Sequence, residues 1–436
     1  MKRTPSVLTG LTLALLGGLS LACGGIVDKV SGGSLDIPIG ASVDSDKAEA
    51  LVLMLKDGRF PSEQCRDLTN AQNFLWIAAA KTDAPTRAAA LDCMGDIYTH
   101  SASVDTKQMI DADYKLVVNT LLDSKDDVVR ARAIEAARVS IDGDVPDMDA
   151  VGKLVKLAND GSAAERFEAL SHLWYMDSWE KDADVAGAYL KALDADENYV
   201  VSESLFRIRS SYYNLVNAED AVKKSTDLIG DDDAGVRGRA ARALGALGGK
   251  HGDKEAIGDD LHKLLKDKHP YVRSEAASAL ASLKRERSIH QFMNMIDDDE
   301  GNTYDIEGFK KLDGSDGRVH HDGSAWSRVD DAVFSALKSM TYSMDDKYEY
   351  SISYDTKDDD IKKARDDARA WYKNNKGELP AADADTDEPG EGADEDDSAK
   401  EDDKPRAGKS GKTGKGSKFT GPRVRGGKGK SKAGQR

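Results

Sequence analysis

The chain has 436 residues but only three cysteines, and Phe, Trp and Tyr together make up 6% of it. Once Cys23 is set apart as part of an N-terminal leader, Cys65 and Cys93 leave room for one disulfide at most. Past residue 22 no apolar run approaches the roughly 20 residues a membrane-spanning helix needs, which excludes a helical membrane domain from the sequence reading. No Gly-x-Ser-x-Gly elbow occurs, so nucleophilic catalysis has no candidate. What is present is 39% hydrophobic and 32% charged residues, the profile of a helical, alanine-rich, well-solvated chain with a thin core.

The start of the chain reads as an export leader. Lys2 and Arg3 precede an apolar stretch from Val7 to Leu21, and the small residue Ala22 stands before Cys23, the pattern of a signal peptide over residues 1–22. The segment Leu19-Ser20-Leu21-Ala22-Cys23 resembles the lipobox of bacterial lipoproteins, although Ser20 and Leu21 depart from its commonest form. That resemblance implies acylation of Cys23, a flexible tether over 23–46, and a cell-envelope location. Gly24, which is not Asp, implies by the same resemblance the outer membrane of a double-membraned host, on its periplasmic or surface side. An ordinary secretory leader is the alternative. In an oxidising compartment Cys65 and Cys93 are expected to pair, near the start of one helix (about 62–80) and late in the next (about 85–99); two buried thiols are the alternative.

The formal charge of −17 is unevenly spread. Residues 381–403 hold twelve acids and one base, residues 404–436 hold twelve bases and no acid, and residues 23–380 carry about −20. An acidic block followed by a Gly-, Lys- and Ser-rich basic block cannot bury enough apolar surface to offset its ordering entropy, so 381–436 is expected to be a disordered tail. Twelve cations on a flexible chain attract polyanions. For an exported protein, anionic envelope polymers suit this tail better than nucleic acid, and association with the acidic body is the alternative.

A repeat organises the remainder. Asp231-Asp232-Asp233-Ala234-Gly235-Val236-Arg237-Gly238-Arg239-Ala240-Ala241-Arg242-Ala243-Leu244 returns 36 residues later as Asp267-Lys268-His269-Pro270-Tyr271-Val272-Arg273-Ser274-Glu275-Ala276-Ala277-Ser278-Ala279-Leu280. Equivalent positions fall at Val129, Glu165, Val200, Val236 and Val272, with an earlier degraded copy at Thr86-Arg87. Apolar or small residues follow each marker at helical spacing, and a second apolar position lies seven residues before it. Each unit is therefore a helix pair joined by a polar turn, and only stacked pairs bury a continuous face. The fold class expected is all-α, an α-solenoid of stacked two-helix repeats over 47–340 with a capping segment at 341–380.

The pattern Asp-x-x-x-Val-Arg-x-x-Ala-Ala-x-Ala-Leu resembles HEAT repeats, particularly the short form also found in phycobilisome-lyase-type proteins, and the resemblance covers about 82–340. It implies a structural ladder in which Arg87, Arg130, Arg166, Arg237 and Arg273 meet the turn acids Asp126 or Asp127, Asp160, Asp231 to Asp233 and Asp267. Val201 stands where the next Arg belongs, so the ladder should break there.

The rhythm fails after Ile296 and resumes at Val329, implying an insertion at about 298–325, rich in Gly and Asp and of a length at which loops are often functional or else simply mobile. Tyr342 to Tyr354 is read as an extended hairpin or an irregular helix. His320, His321 and Asp322 are the only plausible metal set, without the spacing that would support one. Asp313 to Arg318 lacks the alternating ligands and distal Glu of an EF-hand loop. Gly408-Lys409-Ser410-Gly411-Lys412-Thr413 has Arg406 where a phosphate-binding loop needs Gly. No metal, cofactor or catalytic residue is therefore expected. The function expected is a lipid-anchored, non-catalytic scaffold that holds a protein or peptide partner on its concave face. Two alternatives stand beside it: a lyase-like or hydrolytic enzyme with its site at 298–325, and an envelope protein bridging the membrane to a polyanionic layer through its tail.

Overall fold

The computed structural model describes residues 45–56, 63–80, 82–100, 104–142, 146–211, 214–321, 328–342, 347–349 and 356–383, together with Met344 and Thr386. The leader, Cys23, all of the tether before Ser45, Asp322 and nearly all of the 381–436 tail lie outside them, as does most of Tyr342–Tyr354. Sixteen α-helices occur among the described residues: α1 Ser45–Lys56, α2 Ala71–Ala79, α3 Ala84–His100, α4 Val104–Leu121, α5 Asp127–Ile141, α6 Met148–Asp160, α7 Ala163–Leu173, α8 Ala183–Ala192, α9 Asn198–Arg209, α10 Ala218–Leu228, α11 Ala234–His251, α12 Lys254–Leu264, α13 Pro270–Ser282, α14 Ile289–Met295, α15 Val329–Thr341 and α16 Asp358–Asn375. None of the described helices is long and apolar enough to cross a membrane.

From α3 onward the helices form two rows. Odd-numbered helices pack against one another in sequence from α3 to α15, and even-numbered ones back them. The repeat marker explains the regularity: Val129, Glu165, Val200, Val236 and Val272 are each the third residue of an odd helix. Before several of these helices a turn residue satisfies free N–H groups of the first turn. Asp126 accepts from Val128 and Val129, Ser162 and Glu165 form a capping box, and Asp233 accepts from Val236. Ala133, Ile134, Ala240, Ala241, Ala276 and Leu280 are all buried at the row contact. Small residues there let the axes come close. A Cβ on Gly245 would lie 2.6 Å from Ala279 Cα, so α11 and α13 meet almost backbone to backbone at that point.

The arginines after the markers interlock the repeats, but in a different register from the one expected. Arg237 donates from Nε and Nη2 to both carboxylate oxygens of Asp267 at 2.9 and 3.0 Å, and Arg273 does the same to Asp298 at 2.8 and 3.0 Å. Arg130 pairs with Glu165 at 2.8 Å and Arg166 with Glu197 at 2.6 Å. Each arginine thus reaches the acid of the following repeat. Of the acids expected to serve them, Asp267 takes Arg237 and Asp127 contacts its own repeat's Arg130, while Asp126 and Asp233 cap helices and Asp160 pairs with Lys191. Arg87 instead donates to the carbonyl of Ala78 at 2.9 Å. Val201 is buried, and among the described residues no ladder contact joins its repeat to the next.

Cys65 and Cys93 form a disulfide across 28 residues. Cys65 lies in a 3-10 turn, Gln64–Arg66, and not in a helix as expected, because the helix of that pair begins only at Ala71. At the other end α16 packs on α14, and the chain beyond it stays attached. His290 bonds the Tyr372 hydroxyl at 2.6 Å and the Pro380 carbonyl at 2.8 Å, and Asp383 pairs with Arg285 at 2.8 Å. Order therefore continues at least to Asp383, past the expected start of the tail.

Two outcomes are expected in urea unfolding. Arg237→Ala leaves the largely buried Asp267 without its partner and should lower stability by about 3 kcal/mol. Reduction with dithiothreitol should cost about 3 kcal/mol by releasing the loop closed at Cys65 and Cys93. Stabilities within about 0.5 kcal/mol of the untreated wild type would contradict either.

Candidate functional site

The inserted stretch expected to be a loop folds as an antiparallel hairpin, β1 Tyr304–Lys310 and β2 Asp316–His321. Its turn is built by Asp313, whose carboxylate accepts from the Ser315 N–H at 3.0 Å and hydroxyl at 2.6 Å, and by Gly314 at φ +81°. Where β1 shifts register between Glu307 and Phe309, Gly308 takes φ +82°, a conformation that side chains with a Cβ disfavour.

The hairpin lies back across the odd row. Tyr304 donates to Asp233, the cap of α11, at 3.0 Å. Phe309 stacks on Tyr199 of α9 with ring centroids 4.0 Å apart and meets Phe167 of α7 edge-on at 5.3 Å. At the tip Asp313 pairs with Arg132 of α5 at 3.4 Å. Four repeats thus share one insertion.

Its central pin is His321, 1% exposed. Nδ1 faces the carbonyls of Tyr304 and Val319 at 3.2 and 3.1 Å, so it carries the proton, and Nε2 accepts from the Ser202 hydroxyl at 2.6 Å. Burial, with the nearby Arg239 guanidinium, pushes the imidazole pKa down to about 3. A serine hydroxyl on a neutral histidine has the outline of a nucleophile and base, but Ser202 is fully buried in α9. No reacting carbonyl can reach it, and the contact fastens the hairpin. His320, the next strand residue, turns to the opposite face and pairs with Asp305 at 2.5 Å. Strand alternation therefore separates the two imidazoles considered as a metal pair, and no group of three or more potential ligands occurs among the described residues.

Between the hairpin and helices α9, α11 and α13 lies a cavity of about 300 Å3. Phe206 and Tyr271 supply its aromatic walls and Arg209, Arg239 and Arg318 its cations, with Glu203 at its edge. Gly238 lets the Tyr271 ring pack flush on α11: a Cβ there would lie 2.3 Å from it. Three guanidiniums surround Phe206, those of Arg207, Arg209 and Arg239 standing 5.1, 4.7 and 4.8 Å from its ring centre. Glu203 neutralises Arg207 at 2.6 Å, and Arg318 is held by Asp305. Arg239 donates to the main-chain carbonyls of Ser202 and His320 at 2.8 and 3.3 Å. Burial, together with Arg242 and Arg239, holds the Arg209 pKa below its ordinary value, with Glu275 opposing them.

None of Arg209, Arg239, Tyr271 and Phe206 was singled out as a site residue in the sequence. They come from three repeats and meet only in the fold. Further toward the N-terminus, Asp92 beside Arg132 is raised to about 6, chiefly by burial, with Glu135, Asp96 and Asp313 adding like charge.

Both shifts bear on stability with opposite signs. His321 is depressed below its unfolded value, so its contribution is full above about pH 6.5 and is lost as pH falls toward 3, by about 1.4 kcal/mol per unit. Asp92 is raised, so its contribution is full below about pH 4 and is lost as pH rises through 6. Protection factors across Tyr304–His321, taken relative to intrinsic exchange at each pH, should accordingly fall between about pH 7.5 and pH 5 by an amount equivalent to about 2 kcal/mol. His321→Gln should lack that dependence; an unchanged pH profile in this variant would rule out the assigned cause.

Residues 222–304, from within α10 to the first residue of β1, match the family described as HEAT repeats. No curated protein matches the chain significantly. Solved structures similar to it include the archaeal HEAT-like repeats protein from Thermococcus onnurineus NA1, 16% identical with 56% of this chain and 98% of that chain covered, at a TM-score of 0.42. An engineered protein is 22% identical with 50% and 97% covered and a TM-score of 0.37. Kap95p, in a complex with RanGDP, is 15% identical with 56% and 34% covered and a TM-score of 0.40. Residues 222–304 are thus HEAT repeats by their sequence match, and the helix pairs that carry the same pattern to either side extend them into an α-solenoid of HEAT-like repeats.

Proposed function

We propose that the protein is a lipid-anchored, non-catalytic envelope scaffold that holds a protein or peptide partner on its odd-row face. The observation that carries this reading is that row. Its helices bury one side in the core and turn the other outward, where Glu135, Arg138, Phe206 and Arg242 remain at least partly exposed around the hairpin. Such a surface offers aromatic and arginine anchors, the side chains that dominate protein recognition. The enzyme alternative needs a reachable nucleophile or acid at 298–325, and the Ser202–His321 pair is closed to substrate. Acylation of Cys23 and placement at the outer membrane follow from the leader grammar, and the basic tail adds a contact with anionic envelope polymers.

Two experiments test these parts separately. Radiolabelled palmitate should enter the wild type and not Cys23→Ser; equal labelling would remove the anchor. The protein purified from its detergent-solubilised envelope, with and without residues 381–436, should recover the same specific protein in both forms. Recovery only through the tail would move recognition off the solenoid, and catalytic turnover by the purified protein would overturn the scaffold.

A further inference from the structure

Resting on the scaffold reading, the geometry points to the cavity beneath the hairpin as a carboxylate-recognition site, where Arg209 and Arg239 take an acidic side chain from an extended peptide segment of the partner. Arg209 is the key observation. Its guanidinium lies against Phe206 at 4.7 Å, half-buried, and makes no hydrogen bond or ion pair to any described residue. Arg239 is 8% exposed, and its hydrogen-bond partners among the described residues are neutral, two main-chain carbonyls and the Tyr271 hydroxyl, which bring no negative charge to it. A desolvated guanidinium without a carboxylate is costly, and two of them sharing one aromatic ring repel each other. An anion between them relieves both costs.

The charge balance selects the occupant. Arg207 is matched by Glu203, Arg318 by Asp305, and Arg242 faces Glu275 at 3.7 Å. What remains is the pair Arg209 and Arg239, with Glu275 also near enough to act on Arg209. The local surplus lies between one and two positive charges, which suits one carboxylate better than a phosphate dianion. Planar guanidiniums match a planar carboxylate in bidentate geometry, and the Phe206 and Tyr271 rings accept the methylenes of a Glu side chain. The body itself carries about −20, so a polyanion gains no long-range attraction here and recognition depends on these two side chains at close range.

The test uses the full chain in detergent and a fluorescein-labelled hexapeptide with one central Glu among Ala and Gly, read by fluorescence anisotropy against the same peptide with Gln. The Glu peptide should bind at least tenfold more tightly. Arg209→Gln, which removes no hydrogen bond to any described residue, should abolish that preference, whereas Lys156→Gln, an equal charge change at an exposed site on α6, should leave it intact. Equal affinity for the two peptides, or equal loss in both variants, overturns the proposal. Inorganic phosphate binding in an Arg209-dependent way while the Glu peptide fails to bind also overturns it, in favour of a small-anion site. The scaffold reading is judged apart: an envelope partner captured equally by wild type and Arg209→Gln sinks the cavity's role and leaves the scaffold standing, while absence of any partner sinks the scaffold and leaves the peptide result to decide the cavity.

Discussion

A two-helix repeat with a stripe of Ala, Val and Leu cannot remove that stripe from water by itself, and the rest of this molecule depends on how the next repeat closes it. The odd row solves the problem with small side chains. Ala240, Ala241, Ala276 and Ala277 are fully buried, and Gly245 against Ala279 brings two helices nearly to backbone contact. Small residues contribute little hydrophobic area each, at about 25 cal/mol per Å2 of apolar surface buried. Close packing must then be supplemented by interactions that fix the angle and register of successive pairs.

Two charged ladders supply that register. Along the odd row each arginine reaches forward to the next repeat, as Arg237 does to Asp267. Along the even row lysines reach backward: Lys153 to Asp123, Lys191 to Asp160 and Lys224 to Asp194. The two are not equivalent. Arg237 is buried, Asp267 is nearly so, and their contact is bidentate, so loss of either partner strands a charge in low dielectric. The Lys–Asp pairs stand largely in solvent and contribute a few tenths of a kcal/mol each. Specific spacing therefore resides in the arginines, and its interruption at Val201 leaves apolar burial and the Arg239 bond to the Ser202 carbonyl to join α9 to α11. The hairpin bridges that break, since His321 binds Ser202 on α9 and Tyr304 binds Asp233 before α11.

The repeat was legible in the sequence because its signal is local: a marker valine, a following arginine and small residues at helical spacing repeat within one element. The arginines' partners were legible only in part, Asp267 and Asp127 among them, because several turn acids cap the helix instead and the acid that pairs mostly comes from the following repeat, 25 to 35 residues away. The hairpin escaped for a different reason. In β2 the inward positions are Gly317, Val319 and His321, and of these only Val319 reads as apolar, so the alternation that marks a half-buried strand is missing. In β1 the register shift at Gly308 breaks that alternation as well. The cavity has no sequence signature at all, since its walls come from α9, α11, α13 and a strand more than 100 residues from the first of them.

The hairpin's position also limits what the odd-row face can do. It fills the stretch from α13 to α5, so a long helix cannot lie along the same track without displacing Phe309 from between Tyr199 and Phe167. Displacement is costly, because Phe309 and the His321 pin are buried against the row together. On the proposed reading a partner would meet the hairpin's flank, where Phe206 and Arg209 remain partly exposed. That geometry favours a short extended segment over a helix, and it makes the flank's selectivity depend on the hairpin staying down. His321 lines the cavity and its burial disfavours the charged imidazole, so acid would act on the hairpin and the cavity wall through the same side chain.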